Sequence, residues 1–424
     1  MAVLEDLYSR LQAFHRVGSS AYKPGLQNVS ALAEAFGNPH RKFRTIHVAG
    51  TNGKGSTAHL LASVLSAAGY STGLYTSPHL VDFNERIRIN GTPISHPEVI
   101  DFVERFSRMK TSVDPSFFEL ATVMAFDHFA RHNVDVAVIE VGLGGRLDAT
   151  NIITPDLSIV TNISLDHTGI LGYTLEEIAR EKAGIFKSGV PALVGEADVD
   201  LRKVFTLTAE RVGAPLTFAQ DLRLFSSKTD KEDSIIYKGS PWGEIICPLT
   251  GSCQPLNTAT VLTALYLLKD YNISSDAVRE GFENVCSSTG LMARWMTVSR
   301  NPRIICDTGH NPGAWQYLGP KLASIGKTSY LSVVIGFVSD KDFGSIFHLL
   351  PLSAKYYIVT PSTPRAADVD AVLKAALAAG LDATICGSVD EGFFRAKSST
   401  PVNGTIFIGG STFVVADFLQ SLQL

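Results

Sequence analysis

The stretch Gly50-Thr51-Asn52-Gly53-Lys54-Gly55-Ser56-Thr57 decides how the rest of this chain is interpreted. It follows an apolar run at residues 45–49 that predicts a buried strand, and it precedes an apolar run at 58–68 that predicts a helix. A glycine-rich turn between a strand and a helix N-terminus holds phosphate, because its backbone N–H groups converge and the helix dipole favours negative charge. Lys54 adds a mobile cation. The pattern predicts that all eight residues form a nucleoside triphosphate site.

The spacing differs from that of the commonest phosphate loop, in which four residues separate the first Gly from the Gly-Lys pair. Here Val48 stands in the place of that first Gly, and Gly55 displaces the hydroxyl residue expected directly after Lys54. A glycine-rich turn can also be a tight loop without a ligand. The position of the whole block between a strand and a helix favours phosphate binding.

The composition is typical of a globular enzyme with more than one domain. A chain of 424 residues usually splits into two or three domains, and its net charge of −4 gives no reason to expect nucleic acid as a partner. The five cysteines are scattered without a CxxC pair, which is typical of reduced thiols. Uninterrupted apolar stretches long enough to span a membrane are absent from the sequence. We therefore expect a cytoplasmic enzyme without a membrane partner.

Strand-like and helical segments alternate along most of the chain, which predicts parallel sheets covered by helices. The predicted strands of these sheets are residues 43–49, 73–76, 134–140, 157–162 and 191–194, and later 303–306, 330–335, 356–359, 383–386 and 404–408. Between the two groups, 214–249 predicts a small antiparallel patch whose first strand is 222–225, and 286–294 predicts a linker. We expect an α/β protein with a phosphate-loop domain at 1–288, built on a mostly parallel sheet, and a smaller Rossmann-like parallel domain at 289–424.

Polar side chains cluster where predicted strands end. Ser77, Glu140 and His167 lie at or just after the ends of three of them. Ligands of open parallel sheets bind beyond the carboxyl ends of the strands, and oxygen-rich ligand sets suit the Mg²⁺ that accompanies ATP. Singly, these residues have simpler interpretations: a turn cap for Ser77, an ion pair with Arg146 for Glu140, and a core position for His167. Together, beside a phosphate loop, they favour a metal site.

Taken in order, these motifs resemble the folylpolyglutamate synthase/dihydrofolate synthase family of the Mur ligase superfamily. The resemblance covers nearly the whole chain, and the segments that carry it are residues 50–57, 76–79, 82–87, 118–119, 140–151, 166–167, 181–185, 254–257, 294, 307–312, 340–342 and 364–365. The family implies a ligase in which a substrate carboxylate takes the γ-phosphate of ATP and the amine of L-glutamate then displaces phosphate. The implied substrates are dihydropteroate, reduced folates and L-glutamate, and the implied state is a monomer.

The resemblance also implies roles for individual residues. Lys54, His167 and Lys182 would be catalytic. Ser77 and Glu140 would hold a first Mg²⁺, and Glu140 with His167 would hold a second. Lys182 would be carbamylated, so that a cation becomes a carboxylate-like ligand of the second metal, and the family pattern allows a monovalent cation nearby. Without the resemblance, Lys182 would be interpreted as a surface lysine of a helix.

For the nucleotide, the resemblance implies that Asn257 faces the adenine or a phosphate. Arg294 would reach the γ-phosphate, and Asp307 and His310 would contact the ribose and the phosphates. The simpler interpretations are an interdomain ion pair for Arg294 and a helix N-cap for Asp307. Family members usually carry Gly before the arginine, where this chain has Ala293.

The pterin end of the substrate requires a flat apolar slot with polar edges. The resemblance places the candidates in two short segments, and they are Pro78, His79, Phe83, Arg86, Phe118 and Glu119. Phe83 and Phe118 are equally well interpreted as core aromatics.

Two alternatives remain open from the sequence. A peptidoglycan-type Mur ligase shares the loop and the chemistry, but usually carries a further domain ahead of the loop, and only 49 residues precede Gly50 here. A nucleotide-gated binding module without catalysis would leave the carboxylate and imidazole set unexplained. Within the folate family, we expect activity on both dihydropteroate and reduced folates.

Overall fold

The computed structural model describes residues 25–109 and 113–422. These residues form two compact units, of which the first comprises 25–250 and 254–291 and the second comprises 251–253 and 292–422. The domain limits 1–288 and 289–424 stay predictions.

The first unit is built on an eight-stranded sheet in the order β4-β3-β2-β5-β1-β6-β7-β8. Five neighbouring pairs are parallel, and only the edge pairs β2–β3 and β3–β4 are antiparallel. The strands are β1 (Arg44–Ala49), β2 (Thr72–Tyr75), β3 (Ile87–Ile89), β4 (Thr92–Pro93), β5 (Val136–Glu140), β6 (Leu157–Val160), β7 (Ala192–Val194) and β8 (Leu216–Phe218).

The register of the central strands decides where the site forms. All of β5 is buried, as expected for a strand covered on both faces. Val48 of β1 pairs with Glu140, the last residue of β5, and Ala49 pairs with Val160, the last residue of β6. The carboxyl ends of β2, β5, β1 and β6 are therefore neighbours at one edge of the sheet.

Helices cover both faces of this sheet. The helix after the phosphate loop is buried along its length from Gly55 to Leu65 and packs against three later helices of the unit. The α-helices of the first unit are Gln27–Ala35, Lys54–Ala67, His96–Arg108, Phe117–Arg131, Thr168–Leu171, Leu175–Ala183, Val199–Val212, Ala219–Leu222, Gln254–Leu267, Ser275–Glu283 and Val285–Thr289, with 3₁₀ turns at Pro39–Arg41, Phe83–Arg86 and Ala149–Ile152.

The predicted antiparallel patch is present as β9 (Ser227–Asp230), β10 (Ile235–Ser240) and β11 (Gly243–Cys247). The predicted first strand at 222–225 is wrong, because Leu222 ends a short helix and Arg223 takes a left-handed conformation with φ of +45°.

The predicted linker at 286–294 is wrong in part, because Val285–Thr289 is helical. His59 lies 2.8 Å from the hydroxyl of Thr289, and Ser63 lies 2.7 Å from the hydroxyl of Ser288. These contacts with the helix after the phosphate loop hold a segment whose composition alone predicts a loop.

The second unit has a six-stranded sheet in the order β12-β13-β17-β14-β15-β16, parallel except for the edge pair β12–β13. Its strands are β12 (Met296–Arg300), β13 (Arg303–Cys306), β14 (Leu331–Ile335), β15 (Lys355–Ile358), β16 (Asp382–Ile385) and β17 (Thr405–Gly409). Its α-helices are Pro312–Gly326, Phe343–Phe347, Val369–Ala378, Val389–Ser399 and Thr412–Ser421.

The predicted fold class is confirmed, although β12 was not predicted. Among the helices of the described ranges, none has the length and apolar character needed to cross a bilayer.

Candidate active site

Two glycines shape the turn that follows β1. Gly50 has φ of +143° and Gly53 has φ of +82°, which are values that side chains rarely allow. A Cβ at Gly50 would lie 1.9 Å from the Thr161 hydroxyl oxygen, and a Cβ at Gly53 would lie 2.2 Å from Asn257 Oδ1. Both positions therefore need glycine for conformation and for space. The helix begins at Lys54, directly after Gly53.

The segment after β6 fixes the backbone of this turn. Thr51 N donates to Asn162 O at 2.9 Å, and Asn52 N donates to Asn162 Oδ1 at 2.9 Å. The Thr161 hydroxyl donates to Asn52 O at 2.6 Å, and Ser164 N donates to the Thr51 hydroxyl at 3.0 Å. The turn is thus held in place by the protein itself, as an anion site with preorganised donors requires. The sequence indicated polar residues after this strand, but not that they support the loop.

Ser77 and Glu140 meet at the same edge of the sheet. Ser77 N donates to Glu140 Oε2 at 3.1 Å, and Glu140 is only 4% exposed. Arg146, the partner that the simpler interpretation gave to Glu140, donates two hydrogen bonds to Glu181. The structure therefore brings together two of the predicted metal ligands beside the phosphate loop.

His167 is not a core histidine, because its side chain is 36% exposed. It lies on the segment after β6 with φ of +50°, which is uncommon for a residue other than glycine. Asp166 Oδ1 accepts a hydrogen bond from His167 N at 2.9 Å and lies 3.9 Å from Nε2 of the ring. The imidazole thus belongs to the loop that follows the sheet, next to a carboxylate.

Two lysines donate to the backbone of the phosphate loop. Lys54 Nζ donates to Thr51 O at 3.1 Å, and Lys182 Nζ donates to Gly50 O at 2.8 Å. Burial lowers the pKa of Lys182 to about 7, with the charge of Lys54 acting in the same direction and nearby carboxylates, including Asp166, opposing it. The interpretation of Lys182 as a surface lysine is wrong, because the residue is 5% exposed.

Asn257 supports the loop from the helix Gln254–Leu267. Its Nδ2 donates to Gln254 Oε1 at 2.9 Å, and Gln254 Nε2 in turn donates to the Ser56 hydroxyl at 3.3 Å. The Thr57 hydroxyl is buried and has no hydrogen-bond partner among the described residues. Asn257 thus lies against the loop at Gly53. The supporting role of Gln254 was not predicted, because Ser56, the residue that it contacts, is distant in sequence.

In the second unit, Asp307 and His310 follow the carboxyl end of β13. The Asp307 carboxylate accepts hydrogen bonds from Trp295 N at 2.7 Å and Gly309 N at 2.8 Å, and burial raises the pKa of this carboxyl. Asp307 does not cap the next helix, since Asn311 is its N-cap. Asp307 instead holds the backbone at two places, at Trp295 just before β12 and at Gly309 just after β13.

Arg294 lies in the same part of the second unit. Its Nη1 donates to the Thr308 hydroxyl and to Ala293 O. Ala293 has φ of +56° and Trp295 has φ of +54°, so Arg294 is held between two residues in left-handed conformations. This conformation accounts for the glycine of the family pattern, because glycine at 293 would adopt it without strain, whereas alanine does so at a cost of about 1–2 kcal/mol. The structure does not explain why this chain has alanine there.

Phe118 and Glu119, two of the candidates for the pterin slot, begin the helix Phe117–Arg131. A Cβ at Gly142 would lie 2.3 Å from the Phe118 ring, so this half-buried ring rests on the backbone just after Glu140. Glu119 Oε2 accepts from Ser116 N in a capping box, while Glu119 Oε1 is buried with no hydrogen-bond partner in the described part of the chain.

The other pterin candidates lie between β2 and β3. Pro78 is exposed, and His79 Nδ1 accepts from Arg86 Nε at 2.8 Å. Phe83 is 3% exposed and packs edge-on against Phe117, so it lies in the core. Roles in substrate binding stay predictions for these residues.

The comparisons with known proteins identify the family to which the chain belongs. Models of the Mur ligase middle domain and of the Mur ligase glutamate ligase domain match residues 48–221 and 293–412, which defines the class of protein. Dihydrofolate synthase/folylpolyglutamate synthase of Escherichia coli (strain K12) is 34% identical over 418 residues, covering 98% of this chain and 96% of the relative. The chain belongs to the dihydrofolate synthase/folylpolyglutamate synthase family, and the resemblance inferred from the motifs is confirmed.

Solved structures of this family share the fold. Escherichia coli FolC in complex with DHPP and ADP matches with a TM-score of 0.85 and 32% identity, covering 98% of this chain and 97% of that chain. A bifunctional folylpolyglutamate synthase/dihydrofolate synthase with Mn, AMPPNP and L-glutamate bound matches with a TM-score of 0.82 and 31% identity, covering 95% of each chain.

We expect Gly53→Ala to weaken ADP binding at least about tenfold, or ~1.4 kcal/mol, because the added Cβ collides with Asn257 and displaces the turn. Gly37→Ala is the matched control, since Gly37 has a similar φ of +76° with open space around it. Isothermal titration of both variants with ADP measures the difference. An ADP affinity of Gly53→Ala equal to that of wild type would show that the turn does not hold the phosphates.

Proposed function

We propose that this chain is an ATP-dependent ligase that adds L-glutamate to dihydropteroate and to the γ-carboxyl group of reduced folates through an acyl phosphate. The observation that carries the proposal is the phosphate turn, locked by Asn162 and flanked by Lys54 and buried Glu140 at one edge of the sheet. The ligands DHPP, ADP and L-glutamate in related structures support the same substrate classes here. Family membership favours this function over that of a peptidoglycan-type ligase.

The residues present fit two Mg²⁺ ions. Ser77 offers a hydroxyl oxygen, Glu140 a buried carboxylate and His167 a partly exposed imidazole, and oxygen-rich sets with few protein ligands suit Mg²⁺ beside phosphates. We assign Ser77 and Glu140 to one ion and Glu140 with His167 to the other, and the family pattern allows a monovalent cation. When bound, the ions neutralise charge on the phosphates of ATP.

The chain's own groups serve the phosphoryl transfer. The substrate carboxylate attacks the γ-phosphorus, a carboxyl O–P bond forms, and the bond to the β–γ bridging oxygen breaks to release ADP. Lys54 and the N–H groups of residues 50–57 stabilise the charge that develops on the phosphate oxygens, mainly by electrostatics and positioning. The fixed backbone of the turn means that little reorganisation is needed during the step.

The second step forms the amide. The amine of L-glutamate attacks the acyl carbon, a C–N bond forms, and inorganic phosphate leaves with the electron pair while the nitrogen loses a proton. Phosphorylation makes this possible because phosphate is a far better leaving group than oxide. A binding module without catalysis would not need the carboxylate and imidazole beside the turn.

Lys182 is proposed to carry a carbamate. Its amine attacks CO₂, an N–C bond forms, and a proton is released, so that the cation becomes an anion able to serve the second metal. Burial and the hydrogen bond to Gly50 O hold the amine at the loop, and a pKa of about 7 leaves much of it uncharged and nucleophilic near neutral pH. The neighbouring Lys54 favours the anionic product.

The remaining assignments rest on the family pattern and on local geometry. Arg294 is proposed to bind the γ-phosphate, Asp307 and His310 the ribose and phosphates, and Asn257 the adenine or a phosphate. Asp307 also accepts hydrogen bonds from Trp295 N and Gly309 N, so it positions the backbone of these two residues.

For the pterin, the half-buried Phe118 ring and the Glu119 Oε1 atom are the best-supported contacts. Pro78, His79 and Arg86 form a second group of candidates between β2 and β3. The active species is proposed to be a cytoplasmic monomer with small-molecule partners.

We expect ADP release to require ATP, Mg²⁺, L-glutamate and either dihydropteroate or tetrahydrofolate. Lys54→Ala should lower kcat about 10²–10³-fold, the usual cost of removing one group that stabilises developing charge. Lys42→Ala, on an exposed lysine of the same unit, should leave kcat unchanged. A coupled ADP assay with each acceptor separately, with product chain length measured by mass spectrometry, tests both activities. Equal ADP release without any pteroate or folate contradicts ligation.

We expect carbamylation of Lys182 to be visible as a ¹³C NMR signal when the protein is equilibrated with ¹³C-bicarbonate. Lys182→Ala should lose that signal and lower kcat at least about 100-fold, with partial recovery on adding a short carboxylate such as acetate. The control is Lys187→Met, because Lys187 is half-buried and its pKa is also lowered by burial, but its amine donates to Asn151 O away from the loop. A signal that persists in Lys182→Ala would assign the carbamate elsewhere.

A further inference from the structure

Two histidines and a glutamate lie together on a flank of the first unit, where the helices His96–Arg108 and Phe117–Arg131 meet. His132 Nε2 lies 2.7 Å from Glu98 Oε1, and His128 Nδ1 lies 3.5 Å from the same oxygen. The three donor atoms all lie within 4.8 Å of one another. None of these residues belongs to the candidate active site.

Each side of this cluster is positioned by local structure. His128 and His132 are four residues apart at the end of a helix, with ring centroids 4.5 Å apart, so both imidazoles project on one face. Glu98 Oε2 accepts from Ser95 N at 3.1 Å and from the Ser95 hydroxyl at 2.6 Å. This capping box leaves Glu98 Oε1 directed at the imidazoles.

The protonation states of the cluster suit a cation. Burial lowers the pKa of His128 to about 4, so its ring is neutral at pH 7. Partial burial raises the pKa of Glu98, but hydrogen bonds from Ser95 and His132 outweigh it and lower the pKa to about 2. A neutral imidazole and an ionised carboxylate are the forms that bind metal.

We propose that Glu98, His128 and His132 form a binding site for a transition metal ion of the Zn²⁺ class that cross-links the two helices. Two imidazoles and one carboxylate are a set that Zn²⁺ accepts in tetrahedral geometry, whereas Mg²⁺ prefers oxygen ligands. His132 is 49% exposed, so the fourth position is open to water.

The surrounding charges are balanced without the cluster. Arg105 pairs with Asp127, and Arg131 Nη1 lies 2.6 Å from Asp101 Oδ2. These two carboxylates are offset by two guanidinium groups, and the Glu98 carboxylate supplies negative charge for a bound dication. The cluster is thus a set of ligands beside an ion-pair network, and not a patch of excess negative charge.

The test is a titration of the untagged full chain, freed of metal with a chelator, with Zn²⁺ alone in competition with a chromophoric indicator. We expect wild type to bind one more Zn²⁺ equivalent than His132→Ala, or to bind that equivalent at least ~100-fold more tightly, since even outer partners of a ligand contribute about 10–100-fold. Glu98→Gln should behave like His132→Ala. His132 is exposed, so its removal spares the core.

Two controls separate this site from the active site and from general histidine binding. Glu140→Gln should keep the equivalent that His132→Ala loses, and so should His348→Ala, which removes an exposed histidine of the second unit. Zn²⁺ should raise the melting temperature of Glu140→Gln but not of Glu140→Gln combined with His132→Ala. Equal Zn²⁺ stoichiometry and affinity in wild type and His132→Ala, or an equal thermal shift in the two Glu140→Gln proteins, overturns the proposal.

Discussion

The close contact between the phosphate turn and the segment after β6 is the constraint on which the site depends. Gly50 leaves no room for a side chain beside Thr161, and Asn162 binds the backbone of the next two residues of the turn. The parallel register of β1 with β5 and β6 brings these segments to one edge of the sheet. The turn is therefore rigid, and its N–H groups can face anionic phosphates without first being ordered.

Burial affects the ionisation of the charged groups around this turn. Burying Lys182 as a charged ammonium would cost several kcal/mol of folding free energy, because the charge loses its hydration. Its pKa is lowered for the same reason, so the neutral amine is favoured. Glu140 is buried at the same edge, where a carboxylate without a cation nearby would also be unfavourable. The burial of this acid and this amine beside the phosphate turn is explained if bound cations and anions of the reaction compensate their charges.

Much of this arrangement could be predicted from the sequence because it is local. Apolar runs predict the parallel strands, and the polar residues after them lie beyond the strand ends, Ser77 just after β2 and His167 on the segment after β6. What failed depends on tertiary contact, since the helix Val285–Thr289 forms against His59. The burial of Lys182 likewise cannot be inferred from its helix alone, which has a surface-like sequence. The cluster at Glu98 was missed for the same reason, since Glu98 Oε1 meets His132 from another helix.

The most direct test of the central claim is a crystal structure of this chain with AMPPNP and Mn²⁺. The account predicts the β- and γ-phosphates against the N–H groups of residues 50–57, with Lys54 Nζ within hydrogen-bond distance of a phosphate oxygen. It also predicts Mn²⁺ on the Glu140 carboxylate. Phosphates bound elsewhere, with the turn at Gly53 unliganded, would contradict it.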